Sequence, residues 1–324
     1  MSYPAAELRE LAEKLAGEAP SRIDAARGGG NSRVYRVVTA GGREFALKRY
    51  PPGDARDRLG QEYEALEFLR AAGFDNVPSP VARDAGRGAA LFSWLHGTRV
   101  EERQPGDVAQ LANFVRAAHG AARLPAAQRL RPAAEAVTGG GELLRQLEQR
   151  LARLESSRPE HAGLHRILTE IRAELRSRTL PQLPQLPRER QTLSPSDIGF
   201  HNALRGADGT LAFVDFEYFG WDDPAKLVSD VLWHPGHTLA PHEALEFRAR
   251  AADIYSADPD FEVRLATLFP FFGLRWALIV LNEFLSSDRE RREFAGKSGD
   301  RLEIEERQLA KARDLVERVR AGIA

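Results

Sequence analysis

The chain has 324 residues and no cysteine, and its 46 Lys and Arg against 47 Asp and Glu give a formal net charge of −1. The lack of thiols excludes disulfides, thiolate metal sites and cysteine nucleophiles. The near-neutral balance argues against whole-molecule attraction to nucleic acid or to an acidic membrane, and the length exceeds the usual size of a single core, so two lobes are expected.

The first stretch, MSYPAAELRELAEKLAGEAP, carries acidic residues throughout and no apolar run of signal-peptide length, so it predicts an amphipathic helix in a cytoplasmic protein. From Arg22 to Tyr50 the residues alternate as in strands, with VYRVV and EFALKRY flanking the turn Ala40-Gly41-Gly42. A further strand is expected before that hairpin. In LGQEYEALEFLRAAG, Leu59, Tyr63, Leu66 and Leu69 recur at helical spacing and Gly73 ends the pattern. Two short apolar runs follow in VPSPVARDAGRGAALFSWLHG. These elements predict a small α+β lobe over residues 1–95.

Residues 96–324 read as a larger, mainly helical lobe. VAQLANFVRAAHGAARL, ELLRQLEQRLARLE and GLHRILTEIRAELRSR all space their apolar residues by three and four, and LPQLPQLPRER is a Pro-punctuated loop. A strand-like LAFVDFEYF interrupts the helices. The apolar ATLFPFFGLRWALIVLNEFL is broken by Pro270, Arg275, Asn282 and Glu283, so it predicts a buried helix rather than a membrane span.

Chemistry concentrates in a few residues. GGGNSRVYRV places glycines on a turn between strands, where Gly29, Gly30, Asn31 and Ser32 can approach phosphate oxygens. The pattern departs from G-x-G-x-x-G at Arg33. Lys48 is the only Lys among the apolar residues of its strand, and an ammonium there can neutralise α- and β-phosphates. Glu62 shares a helix face with Leu66 and Leu69, so it is preferred over Glu64 as the partner of Lys48. In LSPSDIGFHNAL, Asp197 and Asn202 stand five apart; with 18 Asp and 5 Asn in the chain, such a pair arises by chance about 0.3 times. Asp215 in FVDFEYF completes the set. Asp197 is assigned as the base that orients an attacking hydroxyl, and Asn202 and Asp215 as ligands of Mg²⁺ against the phosphates of ATP.

In this order, the glycine loop, Lys48, Glu62, LFSWLHG, Asp197, Asn202 and Asp215 resemble the aminoglycoside phosphotransferase and choline kinase-like branch of the protein-kinase-like fold. The resemblance extends over nearly the whole chain and includes WDDPAKLVSD and DFEY. It implies a bilobal α+β protein with ATP between the lobes and adenine against hinge backbone near Phe92, Ser93 and Trp94. The γ-phosphate would pass to a hydroxyl of a small molecule of amino-alcohol, aminoglycoside or sugar type. Members commonly carry His two residues before the catalytic Asp, where this chain has Pro195; that His supports the loop, and Ser196 or His201 is expected to substitute. His201 is otherwise read as a loop-packing residue. Asp222, Asp223, Asp230 and Glu283 are candidates for an acidic acceptor wall, and Phe219, Trp221, Trp233 and Trp276 for aromatic faces.

Two other readings compete. One is a catalytically inactive nucleotide-binding regulator of the same fold, suggested by the PSD lead-in and the irregular glycine loop. The other is an interaction protein in which residues 142 to 178 form a partner-binding hairpin.

Overall fold

The computed structural model describes residues 5–26, 31–52, 56–296 and 299–322, so the expected phosphate-loop positions Gly29 and Gly30 lie outside the described residues. Helix α1 (Ala5–Ala16) precedes strands β1 (Pro20–Ala26), β2 (Arg33–Thr39) and β3 (Glu44–Arg49). Then come α2 (Arg58–Ala71), β4 (Pro80–Asp84) and β5 (Ala89–Ser93). The five strands form one sheet in the order β1-β2-β3-β5-β4, with every neighbouring pair antiparallel.

The two-residue period of the strands decides what each face of the sheet meets. Val37, Leu47 and Leu91 point to one face, and α1 covers them with Leu8, Leu11 and Leu15. Ala46 and Lys48 alternate with Leu47 and therefore turn to the opposite face, the side on which α2 packs Leu66 and Leu69 against the main core. The pleat alone thus aims the one inward lysine at α2.

A short strand, β6 (Thr98–Arg99), leads out of the sheet and pairs with β8 (Ala203–Arg205), which pairs in turn with β9 (Leu211–Phe213). A second ribbon joins β7 (Thr192–Ser194) to β10 (Gly220–Asp222). Helices surround both: α3 (Asp107–Ala121), α4 (Gly140–Ser157), α5 (Ala162–Arg176), α6 (Pro224–Trp233), α7 (Pro241–Ile254), α8 (Phe261–Val280), α9 (Ser286–Phe294) and α10 (Arg301–Ala321). The molecule is therefore α+β, with a small antiparallel sheet followed by a mainly helical remainder.

Helix α8 and the turn after it are long and apolar enough to cross a membrane by length and composition, yet α8 packs between α6 and α10 with most of its apolar residues in the core. The stripe formed by Leu143, Leu147, Leu151 and Leu154 of α4 and Leu164, Ile167, Leu168 and Ile171 of α5 is fully buried in the same core. Residues 142 to 178 thus bury this apolar stripe within the chain, with Leu144 alone of their large apolar side chains exposed, which removes the motive for the interaction-protein reading.

Candidate active site

Lys48 donates to Glu62 Oε2 at 2.6 Å and to Asp215 Oδ1 at 2.7 Å, joining the sheet to the segment after β9. Glu64, the competing partner, lies on the outer side of α2 and pairs with Arg131 at 2.9 Å. Tyr50 donates its hydroxyl to the same Glu62 oxygen at 2.7 Å. Burial would lower the Lys48 ammonium, but Asp215, Glu62 and Glu217 outweigh it and hold the group well above the ordinary lysine range. Lys48 is therefore a fixed cation.

Glu217 is a residue that motif reasoning missed. It is 2% exposed, pairs with the buried Arg58 of α2, and accepts from Asn31 Nδ2 at 2.9 Å and Ser32 Oγ at 3.3 Å. Asn31 also donates to the Tyr218 hydroxyl at 3.0 Å. The two polar side chains expected to meet phosphate are thus engaged with DFEY. Gln61 strengthens the junction by donating to Phe219 O at 2.8 Å. The available signal was a second acid two residues after Asp215 in D-F-E.

Glu62, Asp215 and Glu217 bring carboxylate oxygens within 4.8 Å of one another. Three acids face two cations there, Lys48 and Arg58. Burial, and then the repulsion of Glu217 and Glu62 against the attraction of Lys48, push the Asp215 carboxyl up to about 7. This crowding of hard oxygens fits a Mg²⁺ ion, which would supply the missing positive charge. Asp215 also adopts a left-handed backbone, φ 70°, which a residue with a Cβ holds only where its surroundings require it.

Asn202 is brought to this group by backbone pairing. Val214 N–H donates to Asn202 O at 2.9 Å, continuing the β8–β9 ladder to the residue before Asp215. The Asn202 side chain donates from Nδ2 to Asp197 O at 2.9 Å, which leaves its amide oxygen as the remaining acceptor for a cation. Asn202 Nδ2 also lies 3.3 Å from Asp197 Oδ2.

Asp197 follows β7 through a tight bend in which Ser196 has φ 61° and its N–H donates to Ser194 Oγ at 3.1 Å. The Ser196 hydroxyl is buried without a hydrogen-bond partner among the described residues, so it does not support the loop as expected. His201 does: its Nε2 lies 3.2 Å from Asp197 Oδ1, and His234 Nε2 reaches the same oxygen at 3.1 Å. Burial alone would raise the Asp197 carboxyl, but His201 and His234 outweigh it and hold the group far below the usual carboxylate range. His234 and His237 escaped sequence reasoning. Their signal was W-H-P-G-H, two histidines three apart around a Pro-Gly turn immediately after α6.

At the hinge, Phe92 is buried against Tyr63, with ring centroids 6.1 Å apart. The Ser93 N–H donates to Ser79 O at 2.8 Å and the Trp94 N–H to Glu44 O at 3.4 Å, so neither amide is a free donor for adenine in this structure.

The acidic acceptor wall does not form. Lys226 bridges Asp222 at 2.9 Å and Asp230 at 2.7 Å, Arg264 pairs with Asp223 at 2.8 Å, and Arg292 with Glu283 at 2.6 Å. These acids serve internal charge balance, with Asp223 also capping α6 through the Ala225 N–H. Phe219, Trp221 and Trp233 are core residues. Trp276 is also largely buried, but it makes a T-shaped contact with His234, 4.4 Å between centroids, and so reaches the surroundings of Asp197.

A family model described as "Phosphotransferase enzyme family" matches residues 22–262. No curated protein matches the chain by sequence. Among solved structures, choline kinase LicA from Streptococcus pneumoniae is similar at 14% identity and a TM-score of 0.61, over 98% of this chain and 99% of that one. Spectinomycin phosphotransferase APH(9)-Ia, solved with ADP and spectinomycin, is similar at 14% identity and a TM-score of 0.60, over 95% and 99%. A macrolide 2′-phosphotransferase type I is similar at 16% identity and a TM-score of 0.58, over 92% and 99%. At such identities the likeness is one of fold, the bilobal protein-kinase-like architecture.

Proposed function

The chain belongs to the phosphotransferase enzyme family, and with it to the small-molecule kinases; from that premise we propose that it transfers the γ-phosphate of ATP, with Mg²⁺, to a hydroxyl of a small molecule of amino-alcohol, aminoglycoside or sugar type. The observation that carries this reading is Lys48 held at once by Glu62 and Asp215, with Asn202 linked to Asp197 on the adjoining loop. An inactive regulator has no need of all five groups in one arrangement.

In phosphoryl transfer the protein mainly positions and neutralises, because charge spreads over the moving group. Lys48 would pair with the α- and β-phosphates. Asp197 would orient the acceptor hydroxyl and take its proton as the new P–O bond forms. Asn202 and Asp215 would hold Mg²⁺, with Glu217 beside them, and the ion would neutralise the phosphate oxygens. A panel of amino-alcohols, aminoglycosides and sugars, read by ADP release, tests the proposal. Acceptor-dependent release supports it, and ATP binding with no release for any acceptor would leave the regulator reading in its place.

The raised Asp215 carboxyl gives a second test. Because its folded value lies near 7, above the ordinary 3.8, the folded metal-free protein holds a proton that the unfolded chain loses. That group's contribution therefore favours folding at low pH and is lost as pH rises from about 4 through 7. Mg²⁺ competes with that proton, so it is expected to raise the melting temperature more at pH 8 than at pH 6. An equal or reversed shift would remove Asp215 from the metal site.

A further inference from the structure

We propose that His201, His234 and His237 form a positioning assembly that anchors Oδ1 of Asp197 and keeps Oδ2 for the acceptor hydroxyl, in place of the His that Pro195 displaces. The inference rests on the phosphotransferase reading of Asp197. Both imidazole contacts fall on Oδ1, from His201 at 3.2 Å and His234 at 3.1 Å, while among the described residues Oδ2 meets only Asn202, at 3.3 Å.

The acceptors around the rings dictate where the protons lie. His234 Nδ1 accepts the Gly236 N–H at 3.0 Å, so a neutral ring carries its proton on Nε2, facing Asp197. His237 Nε2 lies 3.0 Å from Val231 O, a carbonyl that can only accept, so that nitrogen is also protonated. Between the two ends, His201 Nδ1 and His237 Nδ1 are 2.9 Å apart. The line Asp197, His201, His237, Val231 thus has three links with an acceptor at each end. The carboxylate is thereby tied through His201 and the buried His237 to the end of α6.

The rings are also locked sterically. His234 stacks on His201 with centroids 4.0 Å apart and planes 6° from parallel, and Trp276 meets His234 in a T-shaped contact. Phe200 meets His237 edge-on. Gly199 lets His237 lie against the loop backbone, since a Cβ there would collide with the His237 ring and crowd His201 Nδ1. These contacts hold a loop whose bend at Ser196 is left-handed and whose own hydroxyl gives no support.

The test uses the full chain with Mg·ATP and water as acceptor, beside ¹⁵N-histidine NMR. Gln places an amide near the position of His Nε2, whereas Asn is too short and Leu donates nothing. His234→Leu and His201→Leu are expected to lower kcat about 10- to 100-fold with KM for ATP unchanged, and H234Q to restore most of the loss. Should the Leu variants not fold, H234Q against H234N gives the same comparison. Equal rates for Gln and Asn, or wild-type rates for Leu, would overturn the assembly. In the NMR arm, Nε2 protons of His201 and His234 are expected to exchange slowly and to become fast in Asp197→Ala, while His237 Nε2 stays protected. Unchanged exchange of all three would overturn it equally, even in a protein that shows no turnover. Asp197→Asn run in parallel separates the two claims: full activity there defeats the role of Asp197 itself, whereas a dead Asp197→Asn with wild-type His variants defeats only the assembly.

Discussion

Asp197→Asn is expected to lower kcat by about 10³-fold while nucleotide affinity stays within a factor of about three. The substitution keeps the size of the side chain and an oxygen able to accept from His201 and His234, so the loop retains its shape. What it removes is the carboxylate charge and the capacity to receive the acceptor proton. Lys48, Glu62 and Asp215 are untouched by the change, since none of their hydrogen bonds involves Asp197. Steady-state ADP release and a nucleotide titration on the same preparation measure the two quantities. Retention of more than about a tenth of wild-type kcat would remove Asp197 from the chemistry.

Lys48→Met should be damaging in two separable ways. Losing a charge-assisted contact to phosphate is expected to reduce kcat/KM for ATP by about 10²- to 10³-fold. The same change leaves Glu62 and Asp215 buried without their ammonium, and removing one member of a buried ion pair typically costs about 3–5 kcal/mol. Urea unfolding reads the second effect. Combining Lys48→Met with Glu62→Gln should recover part of the stability and none of the activity, because the double variant removes an uncompensated charge but not the need for a cation at the phosphates. A Lys48→Met protein with wild-type stability would mean that the three acids do not depend on Lys48 for their charge balance.

The parts of this molecule that were legible in its sequence are those whose geometry is local. Alternation in VYRVV and EFALKRY specifies a hairpin, and the same alternation turns Lys48 toward α2. The interval from Asn202 to Asp215 spans one short β8–β9 hairpin, so the chain itself brings these two together. What was hidden depends on pairings across long stretches. Glu217 meets Arg58 from the first turn of α2, and His234 and His237 reach Asp197 and His201 only because α6 ends there. No periodicity records such meetings. Misreading Asp222 and Asp230 as an acceptor wall has a different origin: their four-residue spacing about Lys226 was visible, but burial decides whether acids serve a ligand or an internal cation, and burial is not written in spacing.

The proposed reaction moves a phosphoryl group from ATP to an alcohol through Asp197. The most direct measurement is ³¹P NMR of Mg·ATP with the acceptor panel, comparing the wild-type chain with Asp197→Asn. A new phosphate-monoester resonance is expected to grow in step with ADP for the wild type and to be absent from the variant. The same resonance at the same rate in both proteins, or none in either although ATP is bound, would contradict it.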